Sequence, residues 1–240
     1  MVEKLKSILR QTRWSLLLKA AIFAAAWYFI PSFWVFLIVA LYAYFVPMPQ
    51  SRTVAAPFFV LLLLAYLEPV GISFALVFGV AFFYLLLIKE LVLIDRKSAH
   101  EVVILLLGFI LIRDFYAKEG GAMNLLPFFY SFCTALIIGF MLSDFVRFQG
   151  VEAQPQPDSE LRRPAVWLST LIIWQFIIVG LFLPVDFIYQ AVIVFLGIIP
   201  IIDFVPQYLF GDLSREKILT TASVVFSLFV FVLGSARWGL

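Results

Sequence analysis

Long apolar runs, separated by short polar or proline-containing segments, dominate the chain from Trp14 onwards. A helix that crosses the hydrocarbon core of a bilayer needs about 20 residues, with a usual range of roughly 17–25. The length of the runs therefore predicts transmembrane helices. The predicted spans are Trp14–Ile30, Ser32–Val46, Val54–Leu67, Val70–Ile88, His100–Phe115, Leu125–Ser143, Pro164–Leu183, Phe187–Ile202 and Ile218–Ala236.

Several connections between these spans are very short and contain proline. Pro31 closes the first connection, Glu68 and Pro69 lie in another, and Pro184–Asp186 forms a third. Proline ends helices because it lacks an N–H group and disfavours the helical conformation in the residue before it. We therefore expect an all-α, polytopic transmembrane helical bundle of about nine spans arranged as tight hairpins.

The positive residues indicate the orientation of this bundle. Basic residues concentrate in cytoplasmic loops, and nine spans with a cytoplasmic N-terminus put fourteen of the seventeen Lys and Arg residues on the inner side. The three outer ones are Arg113, Lys118 and Arg237. Treating Trp14–Val46 as one broken helix would instead divide the basic residues eight against nine. The first threading is favoured, with the N-terminus in and the C-terminus out.

Composition supports lipid as the solvent. Hydrophobic residues make up 64% of the 240 residues and charged residues 13%, whereas about a quarter of a soluble domain is charged. The basic residues lie in short loops and form no continuous basic face, which argues against nucleic-acid binding. We expect a multi-pass protein of the cytoplasmic (inner) membrane, whose partners are the lipid bilayer and other membrane or cytoplasmic chains or a second copy of itself.

Polar segments divide the chain into four predicted parts. Residues 1–13 form an amphipathic interfacial segment, since apolar and basic side chains fall on different helical faces. A six-span bundle follows at 14–143, and a three-span unit occupies 164–240. Between them, residues 144–163 contain the polar, proline-rich sequence QPQPDS, which is typical of a cytoplasmic linker.

Two helix ends near the inner side carry local signals. We expect Lys89–Ala99 to extend the fourth helix before a turn. For the last helix, Asp212 as N-cap with Glu216 in the first turn is preferred over Ser214 followed by Lys217, because acidic groups complement a helix N-terminus.

Ionisable side chains within or next to membrane spans are functional candidates by default, because burying charge in lipid is costly. Two groups are predicted. The outer charged cluster is Glu68, Arg113, Asp114 and Asp186. The inner charged cluster is Lys89, Asp95, His100, Glu101, Asp144 and Asp203. The outer group could form an ion or proton site, and His100 beside Glu101 could shuttle protons near neutral pH. Interfacial charges that mark span ends and pair locally are the favoured interpretation of both.

The middle of the predicted spans contains few polar groups. Gln175 is the most polar of them, and we expect its amide to bond across helices or to a backbone carbonyl. No catalytic motif is recognisable, and no cofactor or metal is predicted. With a single cysteine, Cys133, no intrachain disulfide can form.

A shift of 153 residues aligns Trp14 with Trp167 and Pro31 with Pro184. This alignment is compatible with a parallel internal repeat. Unrelated hairpins would give the same matches, because tryptophan favours membrane interfaces and proline favours span ends. The second interpretation is favoured.

Three functions remain open at this point. The first is a non-catalytic membrane subunit or scaffold of a larger assembly, indicated by apolar spans, short outer turns and longer inner loops. The second is a small transporter or flippase for a lipid-like or amphipathic solute. The third is a membrane enzyme acting on lipid at the inner surface, with His100, Glu101 and Asp95 as the acid–base set. The sequence favours the first and argues against an enzyme.

Overall fold

The structure, a computed structural model, describes residues 2–46, 54–90, 96–119, 125–152 and 159–236. This part of the chain is helical, which confirms the predicted all-α class. Its nine helices are α1 (Val2–Phe29), α2 (Phe33–Phe45), α3 (Ala55–Leu67), α4 (Ile72–Lys89), α5 (Arg96–Glu119), α6 (Leu125–Glu152), α7 (Ser159–Leu181), α8 (Phe187–Leu209) and α9 (Arg215–Ser235).

Five of the helices in the described residues are long and apolar enough to cross a membrane. Their apolar segments are Ile72–Lys89, Leu126–Gly150, Leu161–Leu181, Phe187–Phe210 and Arg215–Ser235. Shorter apolar helices occupy Trp14–Phe29, Phe33–Phe45 and Ala55–Leu67. α5 is not among these five helices. Its uncharged stretch between Glu101 and Arg113 has only eleven residues. Length and composition thus indicate a membrane protein, with five candidate spans among the described residues.

Several helices extend beyond the predicted spans. α1 begins at Val2, so the predicted interfacial segment continues into the first apolar helix without a break. α6 continues to Glu152 and α7 begins at Ser159, so helix occupies much of the predicted linker. The span limits were set by apolar residues, whereas a helix also continues through good helix formers such as Glu, Lys, Arg and Gln. Conversely, α4 ends at Lys89, and the predicted extension of this helix is wrong for the residue that follows, Glu90.

The described helices belong to two compact units, Met1–Val103 and Ile104–Leu240. In the first unit, α1 packs along α4, α2 packs on α1, and α3 packs on α4. The two helices approach closely at two small residues, since the Cβ of Ala24 on α1 lies 3.0 Å from the place where a Cβ on Gly79 of α4 would be. Aromatic rings fill the interior, with Phe23 stacked on Phe82 at 4.2 Å between centroids.

In the second unit, consecutive helices form antiparallel hairpins. α6 packs on α7, α7 on α8 and α8 on α9. The Tyr116 hydroxyl of α5 donates to the Ile177 carbonyl of α7 at 2.6 Å. The Tyr189 hydroxyl, near the start of α8, donates to the Ser235 carbonyl at the end of α9. The predicted division into six-span and three-span parts stays a prediction.

The turn between α8 and α9 explains why the N-cap prediction is wrong. Gly211 adopts a left-handed φ of 73°, which glycine tolerates without steric cost. The amide of Asp212 donates to the Gln207 carbonyl at 2.9 Å and that of Gly211 to Tyr208, the Schellman arrangement that ends a helix. Asp212 therefore belongs to the end of α8. Ser214 is the N-cap of α9, and its side chain accepts from the Lys217 amide.

Candidate functional site

Two lysines cap the C-terminal end of α2 in the first unit. Lys89, at the end of α4, donates to the Tyr44 carbonyl and holds its ammonium 5.1 Å from the centroid of the Tyr44 ring. Lys19, from α1, donates to the Val46 carbonyl at 2.8 Å and pairs with Glu90 at 3.4 Å. We call Lys19, Lys89 and Glu90, with these two carbonyls, the lysine cap.

The lysine cap supplies hydrogen-bond donors to carbonyls at the C-terminal end of α2. The last carbonyls of a helix have no partner within the helix, and they form the negative end of its dipole. α2 has no basic residue in its own last turn, so the cations come from α1 and α4. Lys89 is 1% exposed. A charge so deeply buried needs these bonds to the carbonyl and the ring to offset its lost hydration.

The other predicted inner residues have different environments. His100 is 0% exposed. Glu101 and Asp144 are half-buried. Asp95 lies outside the described residues, so the proposed acid–base set is not tested as a whole. A proton shuttle at the membrane surface needs access to water, which the buried imidazole of His100 lacks.

Asp203 joins the last two helices of the second unit. Its carboxylate accepts from the Gln207 amide on α8 and, at 3.2 Å, from the Thr221 hydroxyl on α9. We call these three residues the carboxylate clamp. The carbonyl oxygen of the Gln207 side chain is buried and accepts no bond within the described residues. The clamp links α8 to α9 near their connecting turn.

The predicted outer residues occupy helix ends in both units. Asp114 forms an ion pair with Lys118 at 2.8 Å, one turn along α5. Asp186 is the N-cap of α8, and its carboxylate accepts from the Phe187 amide at 2.8 Å. Glu68 is buried at the end of α3. Asp114 and Asp186 therefore have local partners, and the interpretation of all four residues as interfacial charges that pair locally stays a prediction.

Arg113 of α5 is half-buried. It belongs to the second unit with Asp114 and Asp186, while Glu68 belongs to the first. Their grouping into one outer cluster stays a prediction.

Gln175 lies on the exposed face of α7. The cross-helix bond predicted for it is not made within the described residues. The cross-helix bond between α6 and α7 comes instead from Trp174, whose indole N–H donates to the Ser131 hydroxyl at 3.1 Å. Ser131 in turn donates to the Phe128 carbonyl.

A groove of about 270 Å³ runs between α6 and α7. Its lining residues are Leu136, Gly139, Phe140, Ser143, Val166, Trp167 and Thr170. A Cβ on Gly139 would overlap the Thr170 hydroxyl, so the missing side chain lets the two helices approach closely, as small residues do in membrane helix pairs. The Thr170 hydroxyl donates to the Val166 carbonyl at 2.8 Å. The groove surface is therefore largely apolar.

In the described residues, these features define an all-helical protein with several apolar helices of membrane-spanning length. Several of its charged side chains are bonded near helix ends, namely Lys19, Lys89, Asp114 and Asp186. Among the described residues, no three His, Cys, Asp or Glu side chains lie close enough together to hold a metal ion. Compared with known protein families, with curated proteins and with solved structures, the chain matches none of them.

Proposed function

We propose that this chain is a non-catalytic integral membrane subunit or scaffold that binds other chains through α9. The proposal includes nine spans in the cytoplasmic membrane, with the N-terminus inside and the C-terminus outside. One observation carries it: none of the 21 residues of α9 is buried, whereas 56% of the corresponding segment of α4 is. A long apolar helix left so open has room to pack against another chain.

The two faces of α9 differ in a way that supports a protein partner. The half-buried residues Thr221, Val225 and Phe229 recur every four residues, and Thr221 bonds to Asp203 of α8. The opposite, exposed face contains Ser223 and Ser227. Small residues on one face favour close helix–helix approach in membranes.

The bonding of the charged groups also supports this function over an ion-coupled transporter or an enzyme. The lysine cap and the carboxylate clamp hold their charges against backbone carbonyls and neighbouring side chains. Charges that bind a substrate in membranes line cavities or pair along a pathway. Here the charges join helices to one another, which is the role expected in a scaffold.

The geometry of the first unit supports the proposed orientation. The bonds from Lys19 to Val46 and from Lys89 to Tyr44 bring α1, the end of α2 and the end of α4 to one place. The nine-span threading requires these three segments on the inner side. The antiparallel hairpins of the second unit follow the same alternation.

The experiment tests association through α9. The full chain is cross-linked in its native membrane and extracted in mild detergent. The mass of the cross-linked complex is then measured by mass spectrometry. We expect a second chain, or a second copy of this one, in stoichiometric amount. Each of the two substitutions Ser223→Phe and Ser227→Phe should abolish this association. Leu228→Phe is the matched control. Leu228 is also exposed, but it lies to one side of the face that contains Ser223 and Ser227.

A wild-type chain that remains alone after cross-linking would overturn the proposal. So would association that survives both serine substitutions. Solute flux or lipid scrambling in liposomes that contain the purified chain alone would favour the transporter or flippase instead.

A further inference from the structure

We propose that the groove between α6 and α7 binds an acyl chain of an anionic phospholipid, whose phosphate lies against Arg147, Arg162 and Arg163. The site does not depend on the proposed scaffold function. Only the leaflet in which the lipid lies follows from the proposed orientation, which makes it the inner one.

The shape and chemistry of the groove fit a hydrocarbon chain. Gly139 and Thr170 meet where α6 and α7 approach closely, and the rings of Phe140 and Trp167, 60% and 58% exposed, line the groove beside that contact. Because the Thr170 hydroxyl is bonded within its own helix, the groove offers few polar groups to a peptide or a soluble polar ligand. Hydrocarbon is also the material that surrounds α6 and α7 in a membrane.

The pairing of α6 with α7 places the arginines at one end of the groove. Trp174 bonds to Ser131 and Thr170 meets Gly139, so residue numbers rise on one helix as they fall on the other. Continuing this pairing by two turns brings Arg147 of α6 level with Arg162 of α7. Arg147 lies four residues beyond Ser143 at the edge of the groove, a rise of about 6 Å along a helix.

Charge complementarity points to an anionic headgroup. Arg147 and Arg163 are exposed and Arg162 is half-exposed. Within the described residues, none of the three guanidinium groups forms an ion pair. The acidic neighbour that the structure describes on α6, Asp144, is half-buried and has an interaction of its own.

Arginine binds phosphate through paired N–H donors. Tryptophan favours the headgroup level, and Trp167 lies one turn from Arg163. Together these preferences set the depth of the lipid, with its phosphate at the arginines and its chain beside Trp167.

Quenching of Trp167 by brominated lipids tests the proposal on the full chain. The protein is reconstituted with brominated phosphatidylglycerol or brominated phosphatidylcholine, and the contribution of Trp167 is the difference between the wild type and Trp167→Phe. We expect stronger quenching by the anionic lipid. Each of Arg147→Gln, Arg162→Gln and Arg163→Gln should reduce that preference roughly fivefold, the effect of about 1 kcal/mol per basic residue near a lipid surface.

The controls separate the headgroup, the groove and other occupants. Arg215→Gln removes an exposed arginine of the same unit and should leave the preference unchanged. Ser143→Leu should fill the groove and weaken quenching by both lipids. Equal quenching of Trp167 by the two lipids in the wild type would overturn the proposal. Competition by millimolar inorganic phosphate, or cross-linking of a polypeptide in place of lipid at Trp167, would also overturn it.

Discussion

At the scale of single residues, lysine side chains bond to backbone carbonyls at the end of a helix. Lys89 is buried against the Tyr44 carbonyl, and Lys19 reaches the Val46 carbonyl from another helix. The sequence identified Lys89 as an inner charged residue but could not identify its acceptor. A backbone carbonyl is present at every position and leaves no mark in the sequence, so only the packing of α1 and α4 beside α2 reveals the pairing.

Replacing Lys89 tests this role. We expect Lys89→Met to destabilise the protein by about 1–3 kcal/mol, because the substitution leaves a buried carbonyl without the charged donor it has lost. Lys118→Met removes an exposed partner in a helical ion pair and should cost less than about 1 kcal/mol. Unfolding equilibria in mixed micelles measure both variants. Equal stability of the two would show that Lys89 is not a structural cap.

The contact between α6 and α7 explains why residue 139 is glycine, because a Cβ there would overlap Thr170. We expect Gly139→Ala to cost about 1–3 kcal/mol, since the added methyl group must displace Thr170 in a packed interface. Gly108→Ala is the control, because nothing lies within 4 Å of a Cβ built there, and it should be neutral or stabilising. Thermal unfolding of the two variants in the same detergent compares them. The prediction fails if Gly139→Ala is as stable as Gly108→Ala.

At the scale of elements, the apolar pattern located the helices because proline, glycine and charges interrupt it. α2 and α3 begin and end within about one residue of their predicted spans. The ends of α6 and α7 were missed because polar helix formers continue both helices. The carboxylate clamp was missed as well. Asp203 and Thr221 are eighteen residues apart, and only the closed turn at Gly211 brings them together.

A double-mutant cycle measures the bond between α8 and α9. Asp203→Leu and Thr221→Val, separately and together, should give a coupling free energy of about 0.6 kcal/mol, with an upper limit near 1.7 kcal/mol, as found for hydrogen bonds between membrane helices. Replacing Ser227 by Ala instead of Thr221 by Val gives the control cycle, because Ser227 lies on the exposed face. Coupling as large in the control cycle would argue against a specific clamp.

At the scale of the whole molecule, the distribution of basic residues determines the proposed orientation. A Cys133→Ala chain provides a background without native thiols. With Leu240→Cys, we expect labelling of intact cells by an impermeant maleimide, whereas Gln156→Cys should react only after the membrane is opened. The two positions serve as controls for each other. Labelling of Gln156→Cys in intact cells would reverse the orientation.

The length of α2 and α3 has a consequence for the surrounding lipid. Each has thirteen residues, or about 20 Å of helix, whereas a typical hydrocarbon core is about 30 Å thick. In the proposed nine-span arrangement both helices cross the bilayer. The charges of Lys19 and Lys89 keep the end of α2 out of the acyl chains, so this arrangement requires a thinner bilayer around the two helices. Such mismatch costs fractions of a kcal/mol per ångström. The proposed arrangement therefore predicts that the first unit favours thin membranes over thick ones, which would make bilayer thickness a factor in sorting this protein among cellular membranes.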